Sequence, residues 1–364
     1  MRVSKLYLEN FLSYKSLLCE FGPGLNVLVG DNAVGKTNLA ESIFYCSVGK
    51  SARNLKDKEL ICWDADKKAA RIRLRVERRL TSHTIDIFID AQGKKRITID
   101  GLPISRMGEL MGVLNTVYFS PDEMKLIKES PVDRRRFMDM SLCQRDKLYF
   151  YRLTEYNKLL TQRNKLLKSY REKPNLREMS DIILEKMIDA EEYIYFKRLE
   201  FIDSITPLAD MRHRAITDGK EGLKLDYEGE EVDKGDFKNS LRKLYSDSFE
   251  KDARLEYTTV GIHRDDIKIL AGNIDVRKYG SQGQQRTSVL SLKLAEVDSF
   301  KESVGEYPVL ILDDVASELD PDRQRALFKS LDGLQTIVTT TSVVSDFDGG
   351  KIYEIKDRKI EVLR

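Results

Sequence analysis

Gly30-Asp31-Asn32-Ala33-Val34-Gly35-Lys36-Thr37 decides how this chain is read. The stretch fits GxxxxGKT without deviation. Leu25 to Val29 before it is an apolar run set off by Gly22-Pro23-Gly24, and after it Leu39 and Ile43 stand at helical spacing up to Gly49. A buried strand therefore feeds a glycine loop that opens a helix. Gly30 and Gly35 let backbone N–H groups curl around an anion where orphan donors and the helix dipole already favour negative charge. Lys36 adds a point charge for the β and γ phosphates of a nucleotide, and the Thr37 hydroxyl is placed to hold Mg²⁺. The rest of the loop, Asp31, Asn32, Ala33 and Val34, completes the expected cradle.

Such a cradle needs a second carboxylate at the end of a neighbouring buried strand, and Val309-Leu310-Ile311-Leu312-Asp313-Asp314 supplies it. Asp313 is the expected metal ligand with Thr37. Asp314 is placed to orient or deprotonate an attacking water, or else merely caps the next segment. Most of the chain lies between the two elements, which predicts a large insertion. A third segment, Ser281-Gln282-Gly283-Gln284-Gln285-Arg286-Thr287, precedes an apolar helix containing Val289, Leu290, Leu292, Leu294 and Ala295. A serine and a glycine at a helix start make a second anion site, with Ser281, Gly283 and Gln284 as its contacts and Ser281 as a catalytic candidate. One nucleotide cannot occupy both sites of one chain if they lie on opposite edges, so closure calls for two copies. The plainer reading is an ordinary serine cap.

Around these segments, Val3 to Leu8 and Ser16 to Phe21 read as strands. Residues 70 to 101 alternate, with Ile72, Leu74 and Val76 against Arg71, Arg73 and Arg75, which predicts an antiparallel meander. Met138 to Tyr170 and Met179 to Ile205 carry helical stripes separated by Lys173-Pro174-Asn175, which predicts a hairpin with arms of about 30 residues, on the order of 45 Å. Residues 217 to 240 are polar and read as loop with short strands. Strand signals return at Ile267 to Leu270, Val309 to Leu312, Thr336 to Thr339 and Lys351 to Ile355. The expected fold class is α/β: a P-loop ATPase head with a mixed sheet, built from 1–125 and 255–364, with an inserted, mainly helical lobe at 126–254.

Composition narrows the setting. The 364 residues are 41% hydrophobic, enough for a sizeable core, and 62 basic residues against 60 acidic give a net charge of +2. Affinity for nucleic acid must then come from local clustering. No apolar run is long enough to span a bilayer and the N-terminus lacks a signal-peptide pattern, so a cytoplasmic, membrane-free protein is expected. Cys19, Cys46, Cys62 and Cys143 lie far apart, and only His83, His213 and His263 could add imidazole, which argues against structural zinc.

Together GDNAVGKT, SQGQQRT, VLILDDVASELD and the opening KLYLENFLSY resemble the ABC-type ATPase heads of SMC proteins and their relatives, and most closely the RecF family, over nearly the whole chain. Phe119-Ser120-Pro121-Asp122, Ser130-Pro131 with Arg134-Arg135-Arg136-Phe137, Gly261-Ile262-His263-Arg264-Asp265-Asp266 and Ser317-Glu318-Leu319-Asp320 add to the likeness. The resemblance implies Walker A at Gly30 to Thr37, Walker B at Asp313 and Asp314, a signature at Ser281 to Gln284, a D-loop at Ser317 to Asp320, and Asp122 in the Q-loop region. It further implies a slow ATPase that acts as a switch, a homodimer formed on ATP, and binding to double-stranded and gapped DNA. The implied partners are RecR and RecO, with RecA loading as the outcome, on the nucleoid. Three departures stand out: Ile262 replaces the family's usual proline, Asp314 replaces the glutamate of transporter-type relatives, and Thr340-Thr341-Ser342 stands where many ABC proteins carry a switch histidine. An SMC-like or transporter-type ATPase of another role, or a scaffold that nucleotide only stabilises, would be the other readings.

DNA contact is expected from residues 124–177, where fifteen basic residues face six acidic ones, a local net of +9. Arg134, Arg135, Arg136, Arg145, Lys147 and Arg152 are the candidates, the plainer readings being a solvated helix face and, for some of Arg134 to Arg136, bracing of the head domain. Without a base-reading motif, binding should be independent of sequence and sensitive to salt. Arg71, Arg73 and Arg75 form a second candidate ladder, though a solvated sheet face is the plainer reading.

Overall fold

The computed structural model describes residues 1–66, 68–169, 176–315, 324, 327–328, 331, 333–341 and 350–363. The segment Lys173-Pro174-Asn175, Ser317 to Asp320 and Ser342 lie outside them.

In chain order the described elements are β1 (Arg2–Phe11), β2 (Tyr14–Glu20), β3 (Leu25–Val29), α1 (Lys36–Val48), β4 (Ala70–Glu77), β5 (Ser82–Ile89), β6 (Lys95–Ile99), β7 (Leu102–Pro103) and β8 (Thr116–Phe119). Next are α2 (Lys125–Lys128), α3 (Pro131–Arg145), α4 (Lys147–Ser169), α5 (Leu176–Ile216), β9 (Leu223–Glu228), α6 (Phe237–Leu255), β10 (Asp266–Ala271), β11 (Ile274–Asp275), α7 (Val276–Tyr279) and α8 (Gln282–Val304). Then come β12 (Val309–Asp313), β13 (Thr336–Thr340), β14 (Lys351–Lys356) and β15 (Lys359–Val362). The chain divides into two compact units, one of Met1–Met124, Arg214–Gly219 and Val289–Arg364, the other of Lys125–His213 and Lys220–Ser288. Residues 255–288 thus lie in the helical unit, whereas the sequence pattern assigns them to the head.

The first unit holds two six-stranded sheets. One runs β15-β14-β3-β13-β12-β8, parallel from β14 to β8 with an antiparallel edge at β15. All residues of β12 and β13 are buried, which is why they read as continuous apolar or β-branched runs. The order places β13 between the strand that feeds the glycine loop and the strand that ends in Asp313. The other sheet, β2-β1-β4-β5-β6-β7, is antiparallel throughout and contains the expected meander. Ile72, Leu74, Val76, Ile85, Ile87 and Ile89 are buried on its inner face, while Arg73 and Arg75 alternate outward.

The second unit is mainly helical, with a small sheet β11-β10-β9. The first expected arm is two helices: α3 stops at Arg145, and the Asp146 carboxylate accepts from the amides of Leu148 (2.8 Å) and Tyr149 (3.1 Å), capping α4. The second arm is longer than expected, since α5 runs 41 residues and passes through Pro207 without ending. Helix α6 has no counterpart in the sequence reading. Its signal was present: Phe237, Leu241, Tyr245, Phe249 and Ala253 recur every fourth position and are all buried. A flanking polar loop and a strongly charged outer face masked it.

Candidate nucleotide-binding site

Three strand ends meet at the glycine loop. Thr37 Oγ1 donates to Asp313 Oδ1 at 2.9 Å, and Thr339 Oγ1, at the end of β13, donates to the same oxygen at 2.7 Å. Tyr118 OH, from β8, donates to Asp313 Oδ2 at 2.6 Å. Asp313 is 4% exposed, so its carboxylate is held by three hydroxyls where water scarcely reaches. Burial, then Asp313 itself, pushes the Tyr118 phenol well above its ordinary value, which keeps it a donor. The parallel register sets Thr339 beside Asp313 and Tyr118 beside Ile311, which brings these side chains within reach.

The loop backbone is closely constrained at its two glycines. Gly35 has φ 114°, and a Cβ there would come within 2.8 Å of both Ser13 Oγ and Tyr14 OH. A Cβ on Gly30 would collide with the Ile355 carbonyl oxygen. Tyr14 OH donates to the Gly35 carbonyl at 3.0 Å, and Asn38 Nδ2 donates to Ser13 Oγ at 2.9 Å, so the turn between β1 and β2 pins the loop. Lys36 Nζ bends back onto the carbonyls of Gly30 (2.7 Å) and Asp31 (2.8 Å). Burial lowers its ammonium below the usual lysine value, against the opposing pull of Asp314, Asp31 and Asp313. At the other end of α1's first turns, the buried Glu41 carboxylate holds Ser51 and the Arg53 guanidinium, whose Nε donates at 2.7 Å.

The structure brings together Gly30, Asp31, Gly35, Lys36, Thr37 and Asp313 from the expected set; Ala33 takes φ 66° within the same turn as Asn32 and Val34. Asp314 is exposed, has φ 55°, and its amide donates to Thr339 Oγ1 at 2.9 Å. Asp122 lies exposed on the turn Pro121–Met124 just after β8. Beside it, Glu123 pairs with buried Lys293 at 2.9 Å, and Lys293 also pairs with Glu296 at 3.3 Å. Ser281, exposed at the start of α8, forms a reciprocal cap: its Oγ accepts from the Gln284 amide at 3.2 Å, and Gln284 Oε1 accepts from the Ser281 amide at 2.9 Å. Gln284 Nε2 also donates to Glu221 at 2.9 Å, and Gly283 lies within that first turn. Tyr118, Thr339 and Tyr14 were missed by sequence reasoning; only register shows that they converge.

The basic candidates divide. Arg134 is 2% exposed; its guanidinium donates to Asp266 Oδ2 at 2.9 Å and to the carbonyls of Leu126 (3.2 Å) and Glu129 (3.1 Å). The expectation of DNA contact at Arg134 is therefore corrected: a guanidinium sealed in an ion pair braces its own unit. Arg135 is half-buried and donates to the Asp265 carbonyl at 2.6 Å. Arg145 donates to Ser141 Oγ at 2.7 Å and stacks over Phe201, so it too packs inward. Lys147 is exposed, Arg136 is half-buried, and Arg152 pairs with Glu155 at 3.1 Å. In the first unit Arg71 and Arg73 share Asp86, at 2.6 and 2.8 Å.

Strand order, glycine cradle and hydroxyl-held carboxylate define a P-loop ATPase head of the SMC type, and the family described as RecF/RecN/SMC N-terminal domain matches residues 2–357. The solved Smc head from Pyrococcus furiosus shares the fold, with a TM-score of 0.58 at 19% identity over 99% of this chain and 95% of that one. Within that class the chain belongs to the RecF family of DNA replication and repair proteins. It is 42% identical over 365 residues to RecF of Lachnoclostridium phytofermentans, covering 99% of each chain. It is similar also to a solved structure of the recombination mediator protein RecF with ATP, in the RecFOR pathway, with a TM-score of 0.92 at 34% identity over 100% of this chain and 97% of that one. Among the described residues no helix is long and apolar enough to cross a membrane.

Proposed function

We propose that this chain is an ATP-dependent switch of recombinational repair: with ATP and Mg²⁺ it closes into a homodimer that binds double-stranded and gapped DNA, and with RecR and RecO it promotes RecA loading. The single observation that carries the reading is the Thr37–Asp313 hydrogen bond, which joins the glycine loop to the strand-end carboxylate at 2.9 Å. A hydroxyl and a carboxylate so placed fit a divalent cation, and Lys36, resting on two neutral carbonyls, is free to exchange them for phosphate oxygens. A relative in the same family is solved with ATP, which supports the same ligand here.

In this reading the working head comprises 1–125 and 255–364, and 126–254 is the helical lobe. Asp314 orients water for a slow hydrolysis, and Asp122 reaches the nucleotide from its turn. Ser281, Gly283 and Gln284 serve the nucleotide of a second copy once the cap at Ser281 opens. Nucleotide then shifts the population toward the closed pair because it binds that pair better than separate chains. Arg135, Arg136, Lys147 and Arg152 supply charge toward DNA in the cytoplasm, on the nucleoid.

Sedimentation with saturating ATP and Mg²⁺ is expected to give a dimer, and with ADP a monomer; a single monomeric species in both would sink the reading. Gel shifts at two salt concentrations are expected to show ATP-dependent duplex binding that Lys36→Ala abolishes.

A further inference from the structure

The segment Gly261-Ile262-His263-Arg264-Asp265-Asp266 is fixed at five of its six residues. Gly261 has φ 115°, and a Cβ there would meet the hydroxyls of Tyr245 and Tyr156. The Ile262 amide donates to Glu191 Oε1 at 2.9 Å, and its carbonyl accepts from Arg198 at 2.7 Å. His263 Nδ1 shares a hydrogen bond with Tyr156 OH at 2.8 Å, and Nε2 one with the Thr258 carbonyl at 3.0 Å. Asp265 is held by Arg198 (3.3 Å) and by the Tyr227 hydroxyl, and Asp266 by Arg134.

Arg264 is the exception. It is exposed, and its guanidinium makes no hydrogen bond or ion pair among the described residues. Both carboxylates that come after it in sequence are turned inward and already matched by Arg198 and Arg134, so neither is available to it. Arg135, anchored on the Asp265 carbonyl, lies close enough that it and Arg264 both bear on the His263 imidazole, after burial, in holding it neutral. Among the described residues Arg134 and Arg198 are paired with Asp266, Asp139 and Asp265, Arg135 is anchored on the Asp265 carbonyl, and Arg264 is the guanidinium of this group left open at the surface.

We propose that this loop is a phosphate-contact platform on which Arg264, backed by Arg135, receives a phosphodiester of the DNA backbone. An exposed arginine on a mobile loop gives up conformational freedom to bind, whereas one on a backbone locked at both flanks is already placed and keeps more of the hydrogen-bond energy. A planar guanidinium with no internal partner suits a bidentate oxyanion. The platform reads no base, so it adds affinity uniformly across sequences. The inference rests on the DNA-binding reading of this chain.

The test is fluorescence anisotropy with the full chain, Mg²⁺ and a non-hydrolysable ATP analogue on mixed-sequence duplexes from 50 to 200 mM salt, about the range over which phosphate contacts dominate. Arg264→Ala is expected to weaken binding about tenfold on every sequence and to reduce the slope of log affinity against log salt by about 0.9. Arg264→Lys should recover part of the affinity and the slope. Thermal midpoint and affinity for a fluorescent ATP analogue should not change, because the residue is exposed. Wild-type protein that binds duplex while Arg264→Ala gives superimposable isotherms overturns the assignment alone. A loss confined to nucleotide affinity also overturns it and transfers the residue to a nucleotide phosphate. Wild-type protein that fails to bind duplex overturns the DNA-binding reading and this inference with it.

Discussion

The Gly30–Thr37 loop and the Gly261–Asp266 loop are both tight turns at a glycine of positive φ, and each carries one basic residue proposed to meet an oxyanion. They differ in what surrounds that residue. Lys36 rests on two carbonyls of its own loop, weak neutral acceptors that a phosphate can displace. The Arg264 guanidinium has no partner among the described residues, while its neighbours are fastened to buried Arg198, Arg134 and Glu191. In the first the ligand-seeking group is held by exchangeable contacts; in the second the scaffold is permanent and only the tip is open. Removing a scaffold arginine should therefore damage folding, and removing the cradle lysine should damage binding.

The largest effect is expected at Arg198. It is 2% exposed and donates to Asp139 (3.0 and 3.1 Å), Asp265 (3.3 Å) and the Ile262 carbonyl (2.7 Å). Arg198→Ala leaves the buried Asp265 and the partly exposed Asp139 without this counter-charge, a loss on the order of 3 kcal/mol. The guanidinium chloride midpoint measures it. A loss below about 1 kcal/mol would mean that the network is not what fixes the loop.

A smaller effect concerns pH and belongs to the same network. Burial raises the Glu191 carboxyl to about 8, against the hydrogen bonds from Tyr245 and the Ile262 amide, with Asp265 raising it and Arg198 lowering it. Burial lowers His263 to about 4, opposed by its bond to the Thr258 carbonyl and aided by Arg264 and Arg135. A carboxyl whose folded value lies above its unfolded one binds a proton more tightly when folded, so its contribution falls as pH rises from about 4.5 to about 8. A histidine depressed on folding works the other way, and its contribution is lost as pH falls from about 6.5 to about 4. The two oppose each other below about 6.5. From there to about 8 Glu191 acts alone, and stability should fall by at most about 1.4 kcal/mol per pH unit. Glu191→Gln should flatten that limb in urea titrations, whereas an unchanged slope would place the titrating group elsewhere.

How much of this was legible in the sequence depends on the range of the interactions. GDNAVGKT and VLILDD each bring their own flanking strand or helix, so the cradle and Asp313 could be read from short windows. The convergence of Tyr118 and Thr339 on Asp313 could not, because it depends on which strands are neighbours. Arg134 was ambiguous for a related reason: three successive arginines fit a basic face or an internal brace, and only the partner Asp266, far along the chain, decides that Arg134 is sealed inside. Ile262 was visible only as a departure from the family's proline. The structure gives it a physical role, since its amide donates to Glu191 and a proline has no amide to donate.

The smallest stability effect, and the sharpest contrast with Arg198, is expected for Lys36→Ala. The side chain leaves behind two loop carbonyls, each a neutral acceptor near solvent, and takes away an ammonium that burial already disfavours. The lost hydrogen bonds and the relieved desolvation oppose each other, so the change should lie within about 1 kcal/mol. Affinity for the triphosphate should fall much further if, as proposed, the same ammonium meets the phosphates. Calorimetric titration of nucleotide alongside denaturant unfolding of Lys36→Ala separates the two quantities. A variant destabilised as severely as Arg198→Ala would make the cradle a scaffold like the other loop, and the distinction between exchangeable and permanent contacts would fail.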